Sequence, residues 1–269
     1  KFADKDVSAA INQALTTVVN GEEKIAIIKN IASLNQAGLD NLKKLYKAGG
    51  KIEDNLGALL VKTDVARLGK MVQPNALKAI KFILDNGIDV EYITNLPDAS
   101  FYNLAILYGA NDEVKVNIAN IIKDASPAKL RALAAERVNI QTALNGAHNP
   151  NDLATAIGAF NGKINAKNIG YFRSLENKVA AAHNHIADLT AGADNFRLYI
   201  LDNQAPAIQT ALDGAKDIKD LSSAISVLAE EINPKKFAEN IALLRQIQDV
   251  NDVFNGRVAK LVKHADGRR

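Results

Sequence analysis

A stretch of 36 residues occurs twice in this chain. Residues 140–175 align without a gap on residues 208–243, which begin 68 residues later, and 15 of the 36 positions are identical. Both copies open with Ile-Gln-Thr-Ala-Leu, and the later identities are Gly146/Gly214, Ala147/Ala215, Asp152/Asp220, Leu153/Leu221, Ala156/Ala224, Ile157/Ile225, Ile164/Ile232, Asn165/Asn233, Lys167/Lys235 and Leu175/Leu243. A segment repeated at this period predicts a supersecondary unit that packs against its own copy.

The matched positions predict that the repeated unit is helical. Leu153, Ile157 and Phe160 are spaced four and three residues apart, which places them on one face of an α-helix. Asn233 followed by Pro234 is typical of a helix start, with Asn as N-cap and Pro at the first helical position. The shared glycine follows a helical run, where a left-handed C-terminal residue is expected. The unit is therefore predicted to be helix, glycine stop, amphipathic helix, Asn cap and second amphipathic helix.

The rest of the chain predicts the same class of structure. Alanine is abundant, aromatic residues make up only 5% of the chain, and runs of β-branched residues are scarce, which favours helices over strands. Fainter copies of the unit precede residue 140, so about four units of 60–70 residues are expected. Long periodic stretches, among them 53–71 and 167–190, each predict continuous helix. We expect one all-α repeat domain over 1–269, with 1–138 and 139–269 as possible halves.

Two architectures fit these helical units. Repeated helical pairs with short connections usually stack into an α-solenoid, in which each unit buries its apolar face against the next one. A compact multi-helix bundle made by internal duplication is the alternative. The ankyrin, tetratricopeptide and leucine-rich consensus patterns are absent from the sequence, so the repeat is not assigned to any of those families.

Composition and charge exclude several classes of function. The chain has no cysteine, which excludes disulfides, thiolate nucleophiles and Cys-ligated zinc or iron–sulfur sites. Its formal charge is +3, and the 18 basic and 16 acidic residues of 1–139 are matched by 15 and 14 in 140–269. Because neither half is a basic module, no nucleic-acid partner is predicted. No apolar run approaches the roughly 20 residues of a membrane span.

The beginning of the chain and its composition bear on its origin. It opens on Lys1 rather than Met, so we expect it to be a piece of a longer protein. The sequence is rich in Asn and Lys, a bias common in AT-rich genomes, including those that encode bacterial effectors and surface proteins. Neither observation predicts the compartment, and no signal peptide is visible.

The residue types that usually carry catalysis or bind metals form no recognisable motif. His183 and His185 are two positions apart on a predicted helix, so their side chains point away from each other and cannot chelate one metal. His148 is replaced by lysine in the second copy, and His264 lies near lysines in the last helix. The Gly-x-Ser-x-Gly, Walker A and Gly-x-Gly-x-x-Gly patterns do not occur. No catalytic, cofactor or metal site is predicted.

Aromatic residues are the remaining candidates for a binding surface, because exposed Tyr and Phe side chains anchor protein interfaces. Phe101, Leu104 and Tyr108 share one helical face and are expected in the core. Tyr102 points away from that face, and Tyr171 lies in the second half of the chain. Tyr102 and Tyr171 are therefore the predicted partner-binding residues.

Two functions stay in competition at this point. The leading hypothesis is a non-catalytic protein–protein interaction module, a helical-repeat scaffold that is part of a larger protein such as a bacterial effector or surface protein. The alternative is a helical domain that binds a small molecule or nucleotide, or an enzyme whose site is built from scattered polar residues between helices.

Overall fold

The computed structural model describes residues 4–229, 233–250 and 257–265. Every regular element in these ranges is a helix, which confirms the predicted all-α class, and the packing is compatible with both a repeat array and a bundle. Within the same ranges, none of the helices is both long enough and apolar enough to cross a membrane. The chain divides into two compact units, Lys1–Arg137 and Val138–Arg269.

Unit 1 is built from short helices joined by tight connections. In chain order they are α1 (Lys5–Thr16), α2 (Gly21–Ala32), α3 (Gln36–Lys47), α4 (Lys51–Asp54), α5 (Leu56–Val61), α6 (Val65–Met71), α7 (Pro74–Asp85), α8 (Val90–Asn95), α9 (Asp98–Tyr108), α10 (Asp112–Ile122) and α11 (Pro127–Ala135). Polar residues begin most of them: the side chains of Asp4, Asn20, Asn35, Asp64, Asp89, Asn111 and Ser126 each accept a backbone N–H of the first turn. These caps satisfy donors that a helix start would otherwise leave unpaired.

The helices of unit 1 pack against helices two to four places further along the chain. α1 packs on α3 and α5, α3 on α6, α7 on α9, and α9 on α11. The buried aliphatic side chains between them include Leu42, Leu45, Ile80, Leu104 and Leu133. Contacts between helices that are close in sequence are typical of stacked helical hairpins, in which each hairpin covers the apolar stripe of the one before it.

Unit 2 follows the same plan. Its elements are α12 (Arg137–Leu144), α13 (Pro150–Ala159), α14 (Ala166–Lys178), a 3₁₀ helix (Ala180–His185), α15 (Ile186–Leu189), α16 (Asn195–Asn203), α17 (Ala205–Leu212), α18 (Ile218–Leu228), α19 (Pro234–Val250) and α20 (Val258–Ala265). α13 packs on α15, α14 on α16, α17 on α19, and α18 on α20. The part of α19 and α20 that the structure describes therefore repeats the arrangement of α14 and α15.

The two long stretches predicted as continuous helix are broken in the structure. Residues 53–71 span the end of α4, all of α5 and α6, and the breaks between them, while 167–190 passes from α14 through the 3₁₀ helix into α15. In the second stretch, backbone N–H groups bond to distant side chains: Ala181 N–H donates to Gln209 (3.3 Å) and Ala187 N–H donates to Asp152 (3.0 Å). These tertiary hydrogen bonds replace the helical ones that periodicity alone predicts.

An Asp-x-x-Arg element begins a helix in each unit, at Asp64 and, 130 residues later, at Asp194. Asp64 caps α6 and Asp194 caps α16, each accepting the backbone N–H of the arginine three residues later at 2.8 Å. The guanidinium of Arg67 donates to the backbone carbonyls that end α8, and that of Arg197 donates to the carbonyl of Ser226 near the end of α18. In both units an arginine thus donates hydrogen bonds to backbone carbonyls at the C-terminal end of a helix about 30 residues further on.

The repeat in unit 2 holds as aligned through its first helix and loop. Gly146 and Gly214 both adopt the left-handed conformation (φ 63° and 67°) that was predicted for them, and this conformation is strained for residues with a side chain. Asn149 and Asp217, which occupy matching positions after the glycine, cap α13 and α18 in the same way.

The last helix of the repeat packs in a different register from the ungapped alignment. Leu175 is buried, whereas its aligned partner Leu243 is exposed. The buried positions of α19 match those of α14 when the offset is 72 rather than 68 residues, because α19 has 17 residues and α14 has 13. With that offset, the buried Phe172 and Glu176 match the buried Leu244 and Gln248, so the pairing of Leu175 with Leu243 is wrong. Leu175 then corresponds to Ile247, which is 45% exposed.

The corrected register explains how the glycine loops are held. In the first copy Arg173 donates to the carbonyl of Gly146 (2.8 Å) and forms an ion pair with Glu176 (2.6 Å). In the second copy Arg245, 72 residues later, lies beside Gly214 and donates to Gln248 (2.8 Å). In both copies an arginine at the same repeat position lies beside the glycine and donates to the side chain three residues later.

Candidate functional site

Tyr102 lies on the exposed side of α9, as predicted. Phe101 and Leu104 on the same helix are buried, while the Tyr102 side chain is 70% exposed. An isolated exposed tyrosine can take part in binding, but single exposed apolar residues are common on protein surfaces. Its role in partner binding stays a prediction.

Tyr171 belongs to an aromatic cluster that spans two helices of unit 2. The ring of Tyr171 on α14 meets the ring of Tyr199 on α16 edge to face, with 6.2 Å between centroids. Phe196 is three residues before Tyr199 and so lies on the same side of α16. Phe196 and Tyr199 are each 46% exposed. We call these three side chains, Tyr171, Phe196 and Tyr199, the aromatic ridge.

The fold holds both helices of the ridge in place. Asp194 starts α16, and the ammonium of Lys178 at the end of α14 forms an ion pair with Asp202 near the end of α16 (2.9 Å). The ammonium of Lys167 lies 5.8 Å from the centroid of the Tyr171 ring, within the range of a cation–π interaction. The ridge is thus a preorganised apolar surface with a positive charge at one side.

A cavity of about 330 Å³ lies in unit 1 beside the start of α8. The hydroxyl of Tyr92 is buried there and lies within hydrogen-bonding distance of no partner among the described residues. Burial, with a smaller contribution from the Asp124 carboxylate, raises the pKa of Tyr92 to about 12. The phenol therefore stays protonated at neutral pH and is available as a donor. The cavity is lined by Asn86, Gly87, Ile88, Asp89, Tyr92, Ala119, Asn120, Lys123 and Asp124.

The histidines of unit 2 lie in a polar cluster that ties a loop to the 3₁₀ helix. The rings of His148 and His183 stack with 4.1 Å between centroids, and the backbone N–H of His148 donates to the buried Glu176 carboxylate (2.7 Å). Burial is the first cause, and the neighbouring His148 the second, of a lowered pKa at His183. His185 instead lies near Asp188 (3.4 Å). These contacts assign the cluster a structural role in holding the Gly146 loop.

The ligand types that a metal ion needs do not converge in the described part of the chain. Within residues 4–229, 233–250 and 257–265, no group of three or more His, Asp or Glu side chains has the arrangement of a metal site. The side chain of His264, the fourth histidine of the sequence, is outside the part of the chain that the structure describes. Sequence reasoning found Tyr171 but did not join it to Phe196 and Tyr199, because the contact depends on how α14 and α16 pack.

Comparison with known proteins gives no relative from which a function could be carried over. No family model, no curated protein and no solved structure matches this chain.

Proposed function

We propose that this protein is a non-catalytic scaffold of helical repeats that binds another protein, and that the aromatic ridge of unit 2 is its contact surface. The observation that carries the proposal is the edge-to-face pair of Tyr171 and Tyr199, with Phe196 on the same side of α16. Phe196 and Tyr199 are about half exposed to solvent. Aromatic side chains of this kind are enriched among the residues that dominate binding energy.

Three further points support this assignment. Tyr and Phe are rare in the chain, with 6 and 8 residues respectively, so a surface with three of them together is unlike the general surface composition. The Tyr and Phe rings offer a large contact area at a small cost in side-chain entropy. The adjacent Lys167 favours a partner that presents a carboxylate next to its apolar contact. The Asn- and Lys-rich composition supports the further proposal of a bacterial effector or surface protein.

Replacing Phe196 and Tyr199 together with alanine is expected to weaken partner binding at least about 30-fold, since the loss of even one hot-spot residue costs about 2 kcal/mol or more. A biotinylated full chain would first capture a saturable protein partner, and the purified partner would then be titrated by biolayer interferometry against each variant. Lys163→Ala, an exposed change in the same unit, is the control and should leave the affinity unchanged.

The same titration tests both tyrosines that the sequence singled out. Tyr171→Ala should weaken binding, and Tyr102→Ala will report whether unit 1 contributes. A partner that binds the double variant as tightly as the wild type would refute the assignment of the ridge.

The second candidate function is binding of a small polar molecule in the cavity of unit 1. It is favoured by the Tyr92 hydroxyl, a buried donor that forms no hydrogen bond with the described residues. A buried donor without an acceptor lowers the stability of the ligand-free protein, and a ligand that offers an acceptor would remove this cost. Asp89 and Lys123 on the cavity wall would supply opposite charges to a ligand that carries both.

Tyr92→Phe is expected to raise the free energy of unfolding by about 1 kcal/mol, because the change removes a buried hydroxyl without a partner and leaves the ring packing intact. Urea unfolding followed by circular dichroism measures this. A thermal-shift screen of amino acids, amines and polyols would then compare wild type with Tyr92→Phe. A compound that stabilises the wild type alone would support the cavity as a binding site, and equal stabilisation of both would count against it.

A further inference from the structure

Five Asn-Gly pairs occur in the chain, and they begin at Asn20, Asn86, Asn145, Asn161 and Asn255. The first four lie in the described residues, and the fifth lies outside them. In such a pair the backbone nitrogen of the glycine can attack the side-chain amide of the asparagine, because glycine has no Cβ to hinder the approach. The reaction needs an accessible amide, a glycine N–H outside any hydrogen bond, and room for the backbone to turn.

The pair at Asn86 is held at both of its reacting groups. The N–H of Gly87 donates to the carbonyl of Leu84 (3.0 Å). The amide nitrogen of the Asn86 side chain donates to the carbonyl of Phe82 (2.8 Å). Both hydrogen bonds must break before the glycine nitrogen can lose its proton and reach the amide carbon, so the fold protects this pair.

The pairs at Asn20 and Asn145 are restrained in other ways. The side-chain oxygen of Asn20 accepts the N–H of Glu22 (2.8 Å), which makes this asparagine the N-cap of α2. The carbonyls of Asn145 and Gly146 accept hydrogen bonds from the guanidinium of Arg173 (3.3 and 2.8 Å). The first pair therefore has an engaged side chain, and the second lies in a turn whose backbone is fixed.

The pair at Asn161 lies in the irregular loop between α13 and α14, and both of its residues are exposed. Within residues 4–229, 233–250 and 257–265, neither the Asn161 side chain nor the Gly162 N–H takes part in a hydrogen bond. The Asn161 N–H donates to the carbonyl of Ala193 (2.9 Å), which anchors the loop without engaging either reacting group. Among the described pairs, this one meets the requirements of the reaction best.

We propose that Asn161 is a site of spontaneous modification, at which its side chain closes onto the nitrogen of Gly162 and is converted to aspartate or isoaspartate. In the first step the bond from the glycine nitrogen to Cγ forms and the bond from Cγ to Nδ2 breaks. Ammonia leaves with the proton of the glycine N–H, and a succinimide remains. In the second step water adds to one of the two imide carbonyls and opens the ring. One opening gives aspartate, and the other gives isoaspartate, which has an additional methylene group in the backbone.

The modification changes the support of α16. A Cβ on Gly162 would lie 3.6 Å from the Cα of Asp194, so the loop runs directly beside the residue that caps α16 by accepting the N–H of Arg197. The neighbouring Ala193 is bonded to the backbone of Asn161. An isoaspartate lengthens the backbone between these two contacts. We therefore expect it to loosen the first turn of α16, whether or not the aromatic ridge binds a partner.

Peptide mapping by mass spectrometry tests the site. The folded 269-residue chain is incubated in mildly alkaline buffer, where the glycine nitrogen loses its proton more easily, and each Asn-Gly pair is followed over time. Asn161 should be modified first among the four described pairs, and electron-transfer fragmentation should detect both aspartate and isoaspartate there. The control is the same chain in guanidinium chloride, where the four pairs should react at similar rates because the restraints of the fold are gone.

Two variants test the mechanism. Gly162→Ala should slow the modification of Asn161 by at least about tenfold, since a Cβ hinders the attacking nitrogen. Asn161→Gln should abolish it, because the longer side chain would have to close a six-membered ring, and circular dichroism would verify that both variants keep wild-type helix content. After modification of the wild type, hydrogen exchange should show reduced protection in peptides from α16, with peptides from α7 as the reference.

The opposite results overturn the proposal. One is a folded chain in which Asn161 reacts no faster than Asn20, Asn86 and Asn145. Another is an equal rate of modification at Asn161 in the wild type and in Gly162→Ala, because the glycine nitrogen would then not be the attacking group. Unchanged protection of α16 after complete modification would refute the effect on that helix.

Discussion

Replacing Glu176 with alanine is expected to lower the free energy of unfolding of unit 2 by about 3 to 5 kcal/mol, the usual cost of breaking a buried ion pair from one side. The Glu176 side chain is completely buried, and its two oxygens accept hydrogen bonds from Arg173 (2.6 Å) and from the backbone N–H of His148 (2.7 Å). Alanine would leave both donors without this acceptor. It would also open a cavity next to the stacked histidines.

The second copy of the repeat supplies the matched control for this prediction. Gln248 occupies the equivalent position, where it accepts from Arg245 (2.8 Å) and donates to the carbonyl of Asp217 (3.1 Å). Glu176→Gln therefore keeps the side-chain volume and one acceptor, and its expected cost is only about 1 kcal/mol. Both variants lose the charge, but only Glu176→Ala also loses the remaining acceptor and the packing of the side chain. The difference between their free energies of unfolding therefore measures the acceptor and the packing together.

Hydrogen exchange read by mass spectrometry, alongside urea unfolding, would place the effect in the structure. Glu176→Ala should reduce protection in peptides from α12 to α14 and in the 3₁₀ helix, because these segments meet at the Gly146 loop. Peptides from α7 and α9 in unit 1 are the internal reference. An alanine variant as stable as the glutamine variant would contradict the structural role of the ion pair.

The sequence predicted the helices and their caps better than it predicted where helices break. Asn165 and Asn233 cap helices as expected, because an N-cap acts through local hydrogen bonds that the sequence displays directly. The change to a 3₁₀ helix at Ala180 was missed. That segment is rich in alanine and has a high helix propensity, and what ends the α-helix is a set of bonds to Gln209 and Asp152, which are distant in the sequence.

The register of the repeat shows a second limit of sequence periodicity. Inserting four residues into a helix turns the following residues by about 40° relative to the original face. The apolar period therefore continues through such an insertion almost unchanged, and the ungapped alignment of Leu175 with Leu243 looks acceptable. Only burial distinguishes the two registers, because the 72-residue offset pairs the buried Phe172 and Glu176 with the buried Leu244 and Gln248.

The candidate surfaces lay mostly beyond the reach of the sequence. The exposure of Tyr102 followed from its place beside a single helical face, which is a local property. The contact of Tyr171 with Tyr199 joins residues 28 positions apart, and it depends on the angle at which α16 crosses α14. The buried hydroxyl of Tyr92 likewise depends on the neighbouring α10. Such sites need tertiary packing before they can be recognised.

Replacing Gly57 with alanine is expected to destabilise unit 1 by about 3 kcal/mol, at the upper end of the usual cost of overpacking. Gly57 is buried where the start of α5 approaches the end of α1. A Cβ at this position would overlap the carbonyl oxygen of Ala14 and lie 2.7 Å from the hydroxyl of Thr17 and 2.8 Å from a methyl of Val18. The closest of these atoms belongs to the backbone, which cannot move aside as a flexible side chain can.

The substitution also strains a hydrogen-bond chain that joins the two helices. The N–H of Gly57 donates to the Thr17 hydroxyl (2.9 Å), which in turn donates to the carbonyl of Ala14 (3.1 Å). Pushing α5 away from α1 to admit the methyl group would lengthen the first of these bonds. The lost hydrogen bond adds about 1 kcal/mol to the cost of the steric overlap.

Gly69→Ala is the control, because Gly69 lies inside α6 of the same unit and a Cβ there would make an ordinary 3.6 Å contact with Asn41. That variant should be more stable than the wild type by about 0.5 to 1 kcal/mol, since alanine loses less backbone entropy in a helix than glycine does. Urea unfolding of both variants gives the two free energies. If Gly57→Ala were as stable as Gly69→Ala, the close approach of α5 to α1 would not be needed for the stability of unit 1.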